Sequence, residues 1–152
     1  NNCYQGMFEG CSGLTTAPAL PATTLDYGCY MSMFASCTSL TTAPELPATT
    51  LVYYCYYEMF QNCTSLKTAP ELPATTLAEN CYAYMFYGCT NLQSVTTYVT
   101  TWNTENTANW LYNAGTNATN PTIYCPAEST LKNYKNNDSG IPEGWLQVDL
   151  TE

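Results

Sequence analysis

The chain has 152 residues, with twelve Asp and Glu against three Lys, no Arg and no His, a formal charge of −9. That balance excludes nucleic acid as a partner, because phosphate recognition needs clustered Lys and Arg to release counterions, and it argues against an anionic membrane surface. The length suits one ordinary domain or a short repeat array, and no stretch is apolar for long enough to insert in a bilayer.

From the first residue, "NNCYQGMFEGC" starts in the middle of a repeating unit, so the chain is expected to be the C-terminal part of something longer. Cys3, Cys29, Cys55 and Cys81 form one cysteine series, and Cys11, Cys37, Cys63 and Cys89 a second; both step by 26. A period of this size points to a solenoid, in which each coil packs on its neighbours and like residues stack on like. The coils are 3–28, 29–54, 55–80 and a last one from 81 that decays after Leu92. "CTSLTTAPELPATTL" (37–51) returns as "CTSLKTAPELPATTL" (63–77) with one change.

A single coil offers about five large inward side chains, for example Leu40, Leu46, Leu51, Met59 and Phe60. At about 1.5–3 kcal/mol each, they fall short of ordering 26 residues at about 1–2 kcal/mol apiece. Stacking has to supply the missing burial. Within a coil, "SLTTAP" (39–44) reads as a short strand of a parallel sheet, ended by Pro44, which lacks a ladder donor. "PELPATTL" is a tight turn. "CYYEMFQNC" reads as one or two helical turns, with Cys55, Met59 and Cys63 at i, i+4 and i+8 on one face.

The frame "CTSLTTAPELPATTL…CYxxMFxxC" resembles the BspA-like leucine-rich repeats of bacterial surface proteins, with "MFASC", "MFQNC" and "MFYGC" filling their "AF-x-x-C" helical element. The likeness covers about residues 1–95. It implies an extracellular adhesion or binding protein and carries over no catalytic residue. The period is slightly longer than is usual there, and Cys opens the helical element where an aliphatic is expected.

After Leu92 the chain reads as a C-terminal cap, residues 96–152. "TWNTENTANWLYNAG" (101–115) reads as a helix with Asn103, Thr104 or Asn106 as N-cap and Gly115 at its end. "PTIYC" (121–125) and "WLQVDL" (145–150) read as strands, "PAESTLKNY" (126–134) as a short helix opened by proline, and "NNDSGIPEG" as turns. Trp102, Trp110 and Trp145 would close the end of the stack. "SGIPEGW" is similar to the C-termini of repeat proteins of gut Bacteroidetes and their phages. The expected fold class is therefore α/β: a leucine-rich-repeat solenoid of 26-residue coils, short parallel strands plus short helical segments, closed by a small α/β cap.

Several features are candidates for chemistry. The Cys-x7-Cys spacing is not a zinc pattern; buried apolar thiols and some disulfides both remain open, since nine cysteines leave one over. Glu45 and Glu71 are paired carboxylates in adjacent coils, yet duplication accounts for them. Thr16, Thr42 and Thr68 form a stripe that β-propensity explains. With no His, no Arg and no Gly-rich phosphate loop, neither an enzyme nor a cofactor is expected.

Variation between coils is more informative. It falls beside the CYxxMFxxC segments and there places Tyr27, Tyr53, Tyr54, Tyr57, Tyr84 and Tyr87 among Ser, Asn, Gly and Glu58. Tyr amid small polar residues is the composition of binding loops, whereas Tyr4, Tyr30, Tyr56 and Tyr82, constant in every coil, suit a structural stack. The expectation is a non-catalytic module, extracellular or at the cell surface, whose tyrosines contact a host or cell-surface protein or glycan. The scarcity of Lys and Arg and the abundance of Thr, Asn and Tyr fit that location. Alternatives are the receptor-binding part of a phage or tail-like fibre on a virion, and a structural spacer or filament subunit that self-associates.

Overall fold

In the computed structural model, which describes residues 3–151, the CYxxMFxxC segments are ribbons of consecutive turns. The second ribbon shows the rule. The N–H groups of Met31, Met33, Ala35 and Cys37 each donate to the carbonyl three residues back, on Gly28, Tyr30, Ser32 and Phe34, at 3.0–3.2 Å. The N–H groups between them point out of the ribbon. Those of Tyr30, Ser32, Phe34 and Ser36 donate to the carbonyls of Cys55, Tyr57, Met59 and Gln61 at 2.7–3.1 Å. Half of the donors close turns and half tie one ribbon to the next, so the backbone polar groups are satisfied without a helix or a regular strand.

Backbone conformation explains the alternation. A left-handed residue occurs every fourth position: Gly28, Ser32 and Ser36, then Tyr54, Glu58 and Asn62, then Asn80, Tyr84 and Gly88. A residue with φ near +60° interrupts the run of right-handed residues that an i→i−4 ladder needs. The expected helical segments therefore do not form. Among the described residues the helices are two 3-10 turns, Thr104–Asn106 and Thr130–Asn133, and none reaches seven residues.

The α/β leucine-rich-repeat solenoid of strands and helical segments is thus not the fold observed, and the terms solenoid and leucine-rich repeat do not describe this molecule. The expected strand at 39–44 is also absent. The "TTAP" positions make only isolated bridges, Thr16 with Thr42 and Thr68 with Ser94. Pro18, Pro44 and Pro70 follow two residues after each bridging threonine, and a residue without an N–H cannot extend the ladder.

The one sheet among the described residues lies in the C-terminal part. β1 (Ser94–Thr96), β2 (Thr122–Pro126) and β3 (Leu146–Leu150) are parallel in the order β1-β2-β3. β2 and β3 fall where "PTIYC" and "WLQVDL" place them. β1, in a stretch read as decayed repeat, pairs Val95 with Ile123. The helix expected over 101–115 is a single 3-10 turn at Thr104–Asn106, capped by Asn103 through Glu105 N–H. The helix expected over 126–134 shrinks to Thr130–Asn133.

Equivalent side chains lie beside one another in columns. Phe8, Phe34, Phe60 and Phe86 stack face to face at centroid distances of 5.6–5.7 Å. Tyr4, Tyr30, Tyr56 and Tyr82 do so at 5.8–6.3 Å. Met33, Met59, Met85, Leu40, Leu66 and Leu92 fill the same core. The three tryptophans are buried with their indole N–H groups satisfied: Trp102 by Ser139 O, Trp110 by Gly140 O and Trp145 by Ala114 O.

Candidate functional site

Residues 54, 57, 84 and 87 sit on the outer side of the ribbons, where core packing makes no demand on them. Rings at these positions join into one path. Tyr27 contacts Tyr54 at 5.7 Å, Tyr54 contacts Tyr57 at 5.5 Å, Tyr57 contacts Tyr84 at 5.7 Å, Tyr84 contacts Tyr87 at 5.9 Å, and Tyr87 stacks on Tyr112 at 5.3 Å. The path advances by crossing to the next ribbon and then stepping three residues along it, so it runs diagonally over the surface. Most neighbouring planes are inclined by 41–59°, the tilted arrangement that the aromatic quadrupole favours.

Of the tyrosines singled out from the sequence, Tyr27, Tyr54, Tyr57, Tyr84 and Tyr87 are brought together here. Tyr53 is exposed at 54% and takes no part in the run. Glu58 lies beside it, and its carboxylate accepts a hydrogen bond from Ser32 Oγ at 3.0 Å. Asn80 Nδ2 donates to the Tyr54 hydroxyl at 3.1 Å and fixes that ring. The Tyr57 hydroxyl is held above its ordinary range, by partial burial first and by the Glu58 carboxylate second, so it stays a neutral donor.

Two of these tyrosines are in backbone positions where a bulky side chain is disfavoured. Tyr54 has φ 58° and Tyr84 has φ 56°. Their counterparts 26 residues away are Gly28 and Asn80 for the first, and Glu58 for the second. The left-handed conformation costs an ordinary residue roughly 1–2 kcal/mol, and strain of this kind concentrates at functional sites.

Tyr112 lies outside the tyrosines singled out from the sequence, because "TANWLYNAG" reads as a helix. "NWLYNA" (109–114) lies one shortened period after "YMFYGC" (84–89). It reproduces the turn bonding of that ribbon, with Trp110, Tyr112 and Ala114 donating three residues back and Asn109 and Asn113 left-handed. Tyr82, Tyr84, Phe86 and Gly88 donate to Asn106, Ala108, Trp110 and Tyr112. The signal was the pair Tyr87 and Tyr112 with an Asn or Gly after each; a one-residue shortening hid it.

The other candidates do not assemble into reactive sites. Glu45 and Glu71 are exposed and line an open groove of about 490 Å³ with Pro44, Pro47, Pro70 and Pro73. Thr42 and Thr68 are exposed on the outer face. Cys11, Cys29, Cys37, Cys55, Cys63, Cys81, Cys89 and Cys125 carry no disulfide. Cys37, Cys63 and Cys89 each donate S–H to the carbonyl of Phe8, Phe34 and Phe60 at 3.0–3.1 Å. Burial raises their pKa, that of Cys63 to about 12, so they are inert as nucleophiles. No helix among the described residues is long and apolar enough to cross a membrane. No protein-family model, curated protein or solved structure matches the chain.

Proposed function

We propose that the chain is a non-catalytic extracellular binding or adhesion module whose run of tyrosines, from Tyr27 to Tyr112, contacts a host or cell-surface protein or glycan. The observation that carries this reading is the placing of Tyr54 and Tyr84 at left-handed positions whose counterparts are Gly28 and Asn80 for the first and Gly6, Ser32 and Glu58 for the second. Core packing does not require these rings: they are half-buried and lie outside the packed core. Rigid amphipathic rings with few rotatable bonds give contact area at low entropic cost. The scarcity of Lys and Arg and the abundance of Thr, Asn and Tyr support the location.

The test is a variant with Tyr54→Asn, Tyr57→Ser, Tyr84→Asn and Tyr87→Ser together, probed on a glycan array and against a panel of surface proteins. The parent chain should bind at least one probe, and the variant should lose at least tenfold in affinity while its circular dichroism and urea midpoint are kept. Undiminished binding by a folded variant would remove the tyrosine run as the site. Failure of the parent to bind any probe would count against the module being a binder at all.

A further inference from the structure

Among the described residues, the first ribbon, residues 3–11, is covered on one side only. Its Tyr4 and Met7 are 46% and 59% exposed, whereas the equivalent Tyr30 and Met33 are 4% and 1% exposed. Among the described residues Phe8 stacks on Phe34 alone. Together with Pro18, Leu20 and Pro21, these side chains form a shallow apolar depression of about 450 Å³.

The backbone edge of this face has a definite polarity. In the second ribbon, Met31, Met33 and Ala35 carbonyls accept from Gly6, Phe8 and Gly10. In the third, Tyr57, Met59 and Gln61 accept from Ser32, Phe34 and Ser36; in the fourth, Ala83, Met85 and Tyr87 accept from Glu58, Phe60 and Asn62. The matching carbonyls of the first ribbon, on Gln5, Met7 and Glu9, accept no hydrogen bond from the described residues. Phe8, Phe34 and Phe60 carbonyls receive the S–H groups of Cys37, Cys63 and Cys89; among the described residues no phenylalanine carbonyl receives that of Cys11.

An occupant of this face must therefore offer N–H donors at every second residue, and Tyr, Met and Phe at the spacing of the columns. Two copies meeting by this same face would set acceptor row against acceptor row. The donor row at the other end of the ribbons, Tyr82 to Gly88, is already taken by residues 106–112. We propose that the face is a docking surface for one further polypeptide segment of the C-Y-x-x-M-F-x-x-C pattern, laid ahead of the first ribbon in the same chain direction. It would bury Tyr4 and Met7 and supply the donors that Gln5, Met7 and Glu9 accept. The interface is continuous with the four that the ribbons already make.

The test fuses the sequence of residues 29–52 directly ahead of Asn1 of the full chain, which sets the added cysteine 26 positions before Cys3. A scrambled segment of the same composition serves as control. Maleimide labelling at Cys11 is followed by peptide mass spectrometry at neutral pH, together with the urea midpoint. The in-register fusion should slow Cys11 labelling at least tenfold and raise the midpoint, and the scrambled fusion should do neither. The same segment added as a free peptide at high concentration should slow labelling of the parent chain, which guards against misfolding of the fusion. Unchanged labelling in both formats would overturn the proposal. Protection of Cys11 that grows with the concentration of the parent chain alone would overturn it too, since a second copy would then be the occupant.

Discussion

Tyr56 and Tyr82 carry hydroxyls that are buried and have no hydrogen-bond partner. Their rings sit in the tyrosine column, where stacking decides the position, and the oxygen is carried inside with the ring. A buried unpartnered hydroxyl costs about 1–3 kcal/mol of desolvation. Tyr56→Phe should therefore leave the urea midpoint unchanged or raise it, and a loss above about 2 kcal/mol would show that the hydroxyl has a partner. The cysteine columns make the opposite case. Cys63 fills core space and donates S–H to Phe34 O, so Cys63→Ala should cost about 1–2 kcal/mol by chemical denaturation. Composition shows that these thiols are small and apolar enough to bury. It does not show their second bond, because the receiving carbonyl lies 29 residues earlier and is set by the backbone alone.

At the scale of the element, the ribbon depends on which residues accept a left-handed backbone. Position 36 and its counterparts hold Gly10, Ser36, Asn62 and Gly88, and a β-branched residue is poorly tolerated at positive φ. Asn62→Val should lower stability by about 1–2 kcal/mol, whereas Asn62→Gly should stay within about 1 kcal/mol of the parent; equal losses would mean that the backbone at 62 is not left-handed. Gly140 makes a second case. A Cβ there would collide with the Tyr134 carbonyl, and its own carbonyl holds Trp110 at 2.8 Å. Gly140→Ala should cost over about 2 kcal/mol, with loss of tryptophan near-ultraviolet dichroism. These elements also show what was legible. The i, i+4, i+8 spacing puts Cys55, Met59 and Cys63 on one face, and all three are buried, but a turn ribbon satisfies that spacing as well as a helix does. Ser, Asn and Gly recurring every fourth residue were the discriminating sign, diluted by Tyr54, Glu58 and Tyr84 at the same positions.

For the whole molecule, the 26-residue period was legible because equivalent residues lie in contact, while the C-terminal continuation was obscured by its shorter offset. Burial also gives the molecule a pH response. Cys63 and Cys81 thiols are pushed up to about 12, and those of Cys55 and Cys89 are raised as well. In the unfolded chain a thiol ionises near about 8.5. Their folded pKa values are the higher ones, so their contribution to stability is complete below about pH 8.5 and is lost as the pH rises toward 12. The unfolding midpoint should be insensitive to these groups from pH 6 to 8 and fall steeply above pH 9, and a cysteine-to-alanine variant at 63 and 81 should show a shallower fall. The central claim, that alternate amides of each ribbon bond sideways to the ribbon 26 residues on, is tested most directly by trans-hydrogen-bond scalar couplings in labelled protein. Couplings are predicted from Phe34 nitrogen to the Met59 carbonyl carbon and from Ser36 to Gln61. Their absence, with coupling from Phe34 to Tyr30 instead, would show helical segments and contradict the account.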